Sequence, residues 1–229
     1  MPTIEFRGAT VAYDGRTVLA PLDLTLTERR IGIIGSNGSG KSTTVRLMNG
    51  LIEPTEGEVL VDALSPTTDG KTVRKRVGFV FSDAESQIVM PRVADDVAFS
   101  LRRFKLPRAE VRARVDAVLE RFELADKAEN SPHTLSGGEK QLLALASVLV
   151  IEPETVIADE PTTLLDLRNR RRIIRELNAL DQQVIVVTHD LDMLADFDRV
   201  LCIDDGSLVY DGAPQDAIAF YTDLMDTKP

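Results

Sequence analysis

The stretch IGIIGSNGSGKSTT, residues 31–44, joins a short apolar run to a glycine-rich turn and then to a segment of helical character. The run at 31–34 does not alternate apolar with polar residues, which fits a strand covered on both faces. Gly35, Ser36, Asn37, Gly38, Ser39, Gly40, Lys41 and Ser42 satisfy the spacing G-x-x-x-x-G-K-[ST]. A strand before that spacing and a helix after it make it a phosphate cradle rather than an idle turn. The glycines let the backbone close around a phosphate, and the amide groups and dipole of the helix start add positive charge. Lys41 is placed to neutralise terminal phosphate charge. The Ser42 hydroxyl, followed by Thr43, offers a hard oxygen suited to Mg²⁺.

Working outward, TVIA (155–158) and VIVV (184–187) are two further unalternating apolar runs, so the expectation is an α/β fold with a parallel core. Residues 3–13, 22–27 and 57–63 alternate instead, which predicts an antiparallel part beside that core. The segment PRAEVRARVDAVLERF puts Val111, Val115, Val118, Leu119 and Phe122 on one stripe, with Pro107 in the first turn. The expectation is one domain over residues 1–229. A core of 1–86 and 150–229 carries the antiparallel part, and 87–149 form an inserted helical subdomain. The apolar run at 155–158 ends in Asp159 and Glu160, and that at 184–187 in Thr188 and His189. Ligands of open α/β sheets bind at such strand ends. Asp159 is read as standing behind the metal, Glu160 as the base that polarises a water, and His189 as a contact to the terminal phosphate.

Lys and Arg total 27 against 37 Asp and Glu, a formal net charge of -10. So acidic a surface disfavours nonspecific binding to DNA or RNA, and no nucleic-acid partner is expected. The single cysteine, Cys202, lies in the apolar run RVLCI and reads as a buried thiol. No leader is read at the start, and no apolar run reaches the roughly 18 residues that cross a bilayer. A cytosolic chain is therefore expected, tied to a membrane only through a partner.

A second anion cradle begins at LSGGEKQLLALASVLV, residues 135–150, where Ser136, Gly137 and Gly138 open a long apolar helix. With the motif at Gly35, ADEPTT around Asp159, Asp166 and His189, this order and spacing resembles an ATP-binding cassette (ABC) over essentially the whole chain. The resemblance implies a P-loop NTPase of ABC type that binds ATP and Mg²⁺ and hydrolyses ATP as a head-to-tail homodimer or paired with another cassette. In it Ser136, Gly137, Gly138 and Glu139 close over the nucleotide of the other copy, and Asp166 links the two sites. Tyr13 matches the aromatic that stacks on adenine. His133 matches nothing and reads as a surface or capping residue. Where the family has a glutamine beside the metal, this sequence has Ser82, with Gln87 as a candidate substitute.

VGFVFSDAESQIVMPRVADDVAF (77–99) also resembles energy-coupling-factor importer ATPases. That implies a transmembrane coupling subunit docking near residues 82–104 and a separate membrane protein that captures the substrate. The chain would then lie peripherally on the cytoplasmic face of the inner membrane. Biotin is the expected cargo, with cobalt or nickel the other choice. A soluble cassette of repair or translation is the rival reading, disfavoured by the lack of a coiled-coil insertion, a second cassette or a basic surface.

Overall fold

The computed structural model describes residues 1–163 and 165–228. In chain order these form β1 (Ile4–Tyr13), β2 (Arg16–Leu26), β3 (Arg30–Ile34), α1 (Lys41–Asn49), β4 (Glu56–Val61), α2 (Gly70–Arg76), β5 (Val77–Val80), α3 (Ala84–Gln87), α4 (Val93–Leu101), α5 (Arg108–Arg121), α6 (Gly137–Leu149), β6 (Thr155–Asp159), α7 (Leu167–Asn178), β7 (Gln183–Val187), β8 (Arg199–Asp204), β9 (Ser207–Gly212) and α8 (Pro214–Thr227). Six strands make one sheet in the order β5-β6-β7-β3-β8-β9, parallel except for the β8/β9 pair. The other three make an antiparallel sheet, β2-β1-β4.

The runs without alternation are the strands covered on both sides. Ile31 and Ile33 of β3, Ile157 of β6, Ile185 and Val187 of β7, and Leu201 and Ile203 of β8 join the apolar cluster shared with the antiparallel sheet and α1. Ile34, Val156, Ala158, Val184, Val186, Val200 and Cys202 face the other way, into the cluster of α4, α5, α6, α7 and α8. Successive residues of one strand thus serve opposite cores, so the strand centres are apolar without alternation, with polar residues such as Thr155 and Gln183 only at the ends. In β1, by contrast, Ile4, Phe6, Ala9 and Val11 are buried and their neighbours are not.

Two core strands exceed the three expected. VGFV is only four residues long and contains a glycine, which weakens its strand signal. The glycine is required because a Cβ on Gly78 would lie 2.4 Å from Cγ1 of Val148 in α6. RVLCID pairs in parallel with β3. Strand β2 also starts well before the alternating residues 22–27. Within 87–149 lie α4, α5 and α6, whose apolar residues share one continuous cluster with the β6, β7 and β8 side chains. Val115, Val118 and Leu119 are buried on α5, Phe122 is buried at its end, and Val111 packs half-buried. Pro107 caps this helix instead of occupying its first turn, one residue earlier than expected.

Candidate functional site

The strand order brings β6, β7 and β3 side by side, so the segments leaving their C-terminal ends converge. After β3 the chain turns through residues 35–40, with Gly38 at φ +77° and Gly40 at φ +104°. These left-handed conformations suit glycine and aim successive N–H groups inward. A Cβ at Gly38 would meet nothing within 4 Å, so the loop has an open side. Lys41 is 6% exposed, and its ammonium donates to the carbonyls of Gly35 (2.8 Å) and Ser36 (2.7 Å). Burial pushes its pKa down, opposed by the carboxylates of Glu160 and Asp159. The buried Ser39 hydroxyl has no hydrogen-bond partner among the described residues. A cradle with an open side, a buried cation and a spare hydroxyl fits a bound polyphosphate.

Ser42 Oγ donates to Asp159 Oδ1 at 2.8 Å, and Asp159 is 1% exposed. Two hard oxygens side by side on adjoining elements are a donor set that fits Mg²⁺. The sequence reading missed Arg46, whose guanidinium stands 3.5 Å from Asp159 Oδ2. It lies four residues beyond Ser42 on α1, on the same helix face. Glu160 adopts φ +52°, a strained conformation for a residue with a side chain. Its N–H is held by the Val187 carbonyl (2.9 Å), and its Oε2 lies 2.7 Å from Nδ1 of His189. A carboxylate there requires the proton on Nδ1 and leaves Nε2 free. The next residue, Asp190, forms a bidentate pair with Arg170 of α7, also missed by the sequence reading. Tyr13 precedes the Asp14-Gly15 hairpin turn and is 54% exposed, so its ring is not part of the sheet packing.

The second cradle has different neighbours. Ser136 caps α6 in a capping box with Glu139, whose Oε2 accepts from Ser136 N–H (2.8 Å) and Oγ–H (2.9 Å). The N–H groups of Gly137 and Gly138 open the helix and have no acceptor within it. A Cβ on Gly137 would meet nothing within 4 Å, whereas one on Gly138 would fall 2.2 Å from Cγ of Asn169. Asn169 is tied to Asp166, the N-cap of α7, by its backbone N–H (2.8 Å) and its side-chain amide (3.0 Å). Asp166 therefore stands beside the serine–glycine loop of its own chain. His133 is exposed in a short 3₁₀ turn, as expected.

Ser82 is exposed just beyond β5. Gln87 is otherwise engaged: its Oε1 accepts from Phe81 N–H (3.1 Å) and its amide donates to the Ala144 carbonyl (3.2 Å). Gln141 of α6 donates to the carbonyl of the same Phe81 (3.3 Å). Two glutamines thus clamp the backbone next to Ser82. With both ends of its amide in use, Gln87 cannot also stand in at the metal without breaking that clamp.

These loops at these strand ends define a nucleotide-binding ATPase cassette, and the relatives agree. The family profile described as ABC transporter matches residues 19–163, and the chain belongs to that family. Within it the chain is an ATPase of the energy-coupling-factor type. It is 47% identical over 221 residues to the biotin transport ATP-binding protein BioM of Rhizobium etli, covering 96% of this chain and 98% of that protein. It is 40% identical over 193 residues to the energy-coupling factor transporter ATP-binding protein EcfA1 of Caldanaerobacter subterraneus subsp. tengcongensis, covering 81% and 69%. Among solved structures, cbiO1 from Clostridium perfringens, part of the ABC transporter complex cbiONQ, superposes with a TM-score of 0.83 at 31% identity, covering 97% of this chain and 93% of that one. No helix among the described residues is long and apolar enough to cross a membrane.

Proposed function

We propose that the chain hydrolyses ATP to drive a membrane importer of biotin, working as a homodimer whose two sites each need both copies. The observation that carries this reading is the convergence of Lys41, Ser42, Asp159, Glu160 and His189 at three adjacent strand ends, while the open face of Gly137 belongs to a separate set of neighbours. Residues 35–43 hold the triphosphate, and Tyr13 stacks on the base. Ser42 and Asp159 would hold Mg²⁺, with Ser82 a further candidate to hold it, and the ion would neutralise phosphate charge. Glu160 orients a water and takes its proton, and His189 uses its free Nε2 on the terminal phosphate. Ser136, Gly137, Gly138, Glu139 and Asp166 complete the site of the second copy, so ATP closes the pair and hydrolysis reopens it.

The helical interval 87–149 passes that motion to the membrane. A 460 Å³ cavity lined by Gln87, Val89, Asp96, Phe99, Ser100, Arg102, Arg103 and Ser147 supports this, since Val89 and Phe99 stand exposed at 61% and 43%. An apolar, basic-edged groove of this kind suits a helix of a transmembrane coupling subunit. The substrate is captured by a further membrane protein, and the chain lies peripherally on the cytoplasmic face of the inner membrane. Biotin is favoured by the name of the Rhizobium etli relative and its near-complete coverage.

The test is to tag the chain in its native cell, extract membranes in mild detergent, and measure labelled biotin uptake with wild type and Lys41→Ala. Co-purifying membrane subunits and uptake lost with Lys41→Ala support the reading. Cobalt or nickel uptake in place of biotin keeps the importer and removes the cargo. Soluble partners alone overturn the importer.

A further inference from the structure

The loop opened by Ser136 carries a carboxylate, which is the wrong charge to bring up to a polyphosphate. Glu139 is only 27% exposed and turned back on the loop, with one oxygen on Ser136 and the other in an ion pair with Lys127. Lys127 ends the 3₁₀ turn Ala125–Lys127, 12 residues before Glu139. Its N–H donates to the Leu124 carbonyl (3.0 Å), and its own carbonyl accepts from Asn130 (2.9 Å). The cation is thus delivered by rigid backbone to the one acidic group of the loop.

We infer that Lys127 is a positioning residue for ATP-driven pairing: by neutralising Glu139 it lets Ser136, Gly137 and Gly138 approach the phosphates held by a second copy. The inference rests on the trans-acting role proposed above for that loop. In the resting chain the Ser136 hydroxyl proton is spent on Glu139. When that hydroxyl turns to a phosphate, Glu139 loses one donor while an anion arrives, and Lys127 is then its remaining counter-charge. The Lys127 ammonium and two donations from Ser136 hold the Glu139 carboxyl down to about 2, and Glu139 in turn raises Lys127.

The test compares four full-length chains, all carrying Glu160→Gln to suppress turnover: the parent, Lys127→Met, Glu139→Gln, and the two together. Light scattering reads the ATP concentration at half-maximal dimer, and a thermal melt without nucleotide reads folding. Since like charges brought together at an interface are strongly unfavourable, Lys127→Met is expected to need about tenfold more ATP or worse. The double variant is expected to match Glu139→Gln within about threefold, because without the carboxylate Lys127 has no charge left to neutralise. A Lys127→Met chain that dimerises like the parent overturns the inference. So does a double variant that stays as weak as Lys127→Met, which would make the pair a mere tie between turn and helix. If Lys127→Met alone does not fold, the double variant against Glu139→Gln decides: equal dimerisation supports the inference, and a loss overturns it. A parent that never dimerises with ATP refutes the trans-acting loop itself, and does so independently of Lys127.

Discussion

Gly137 and Gly138 are adjacent, both helical, and differ in one measurable respect. A methyl on Gly137 enters open space, while one on Gly138 collides with Asn169. Alanine is the better helix former by up to about 1 kcal/mol in a helix interior, so Gly137→Ala leaves the isolated chain as stable or slightly more so. For a chain of this size that is a Tm unchanged or raised by about 2–4 °C. Any functional loss in Gly137→Ala must then come from outside the chain. If a second copy's phosphate sits against these amides, the methyl removes at least one hydrogen bond to a charged group. Such a bond contributes about 1.5–3 kcal/mol, which is about 10- to 100-fold in ATP-driven dimerisation. Gly138→Ala weakens dimerisation too, but by displacing Asn169 from the Asp166 carboxylate, at a cost of about 1.5–3 kcal/mol that the helix propensity offsets only in part. The assay is a melt without nucleotide and light scattering with ATP, both in the Glu160→Gln background. A Gly137→Ala chain that melts normally and still dimerises at the parent's ATP concentration refutes the reasoning, because nothing then approaches that face.

Glu160→Gln removes the base while keeping the shape of the side chain, so ATP turnover falls by about 10²–10⁴-fold and an ATP-bound dimer accumulates; a monomer by light scattering with ATP counts against that role. Ser82→Gln lengthens a side chain that is exposed beside the clamped Phe81, and ATP turnover stays the same or rises; a large drop would mean that the serine is the better fit. Burial, with the Asp204 carboxylate assisting, pushes the Cys202 thiol up to about 11. Because the thiolate is what reacts, labelling of the native chain by iodoacetamide at about pH 8 runs about 100-fold slower than in denaturant; comparable rates would place Cys202 at the surface.

Much of the fold and of the candidate site was legible because each piece is written in contiguous residues. The strand before Gly35, the acids after 155–158 and the histidine after 184–187 each need only a local pattern, and the sheet order then brings them together. What stayed hidden depends on partners that no local pattern links. Arg46 meets Asp159, Arg170 meets Asp190, Lys127 meets Glu139, and Gln87 and Gln141 share Phe81. Hydrophobic periodicity says nothing of such pairings, since it records burial and not which charged neighbour lies across a fold. Strand β5 was obscured for another reason: its glycine is needed for the close approach of Val148, a demand made by packing and not by strand propensity.

One of those hidden pairings also helps join the hydrolytic candidates to the serine–glycine loop. Glu160 holds His189, and the next residue, Asp190, holds Arg170 in the first turn of α7. One turn back, Asp166 caps that helix and fixes Asn169, which lies against Gly138 of the serine–glycine loop. Every contact in this series is a polar pair or a close packing contact within one chain. Because α7 is a rigid element, a shift of its start moves Arg170 and Asn169 together. The hydrolytic candidates and the serine–glycine loop of one chain therefore share one support, the start of α7.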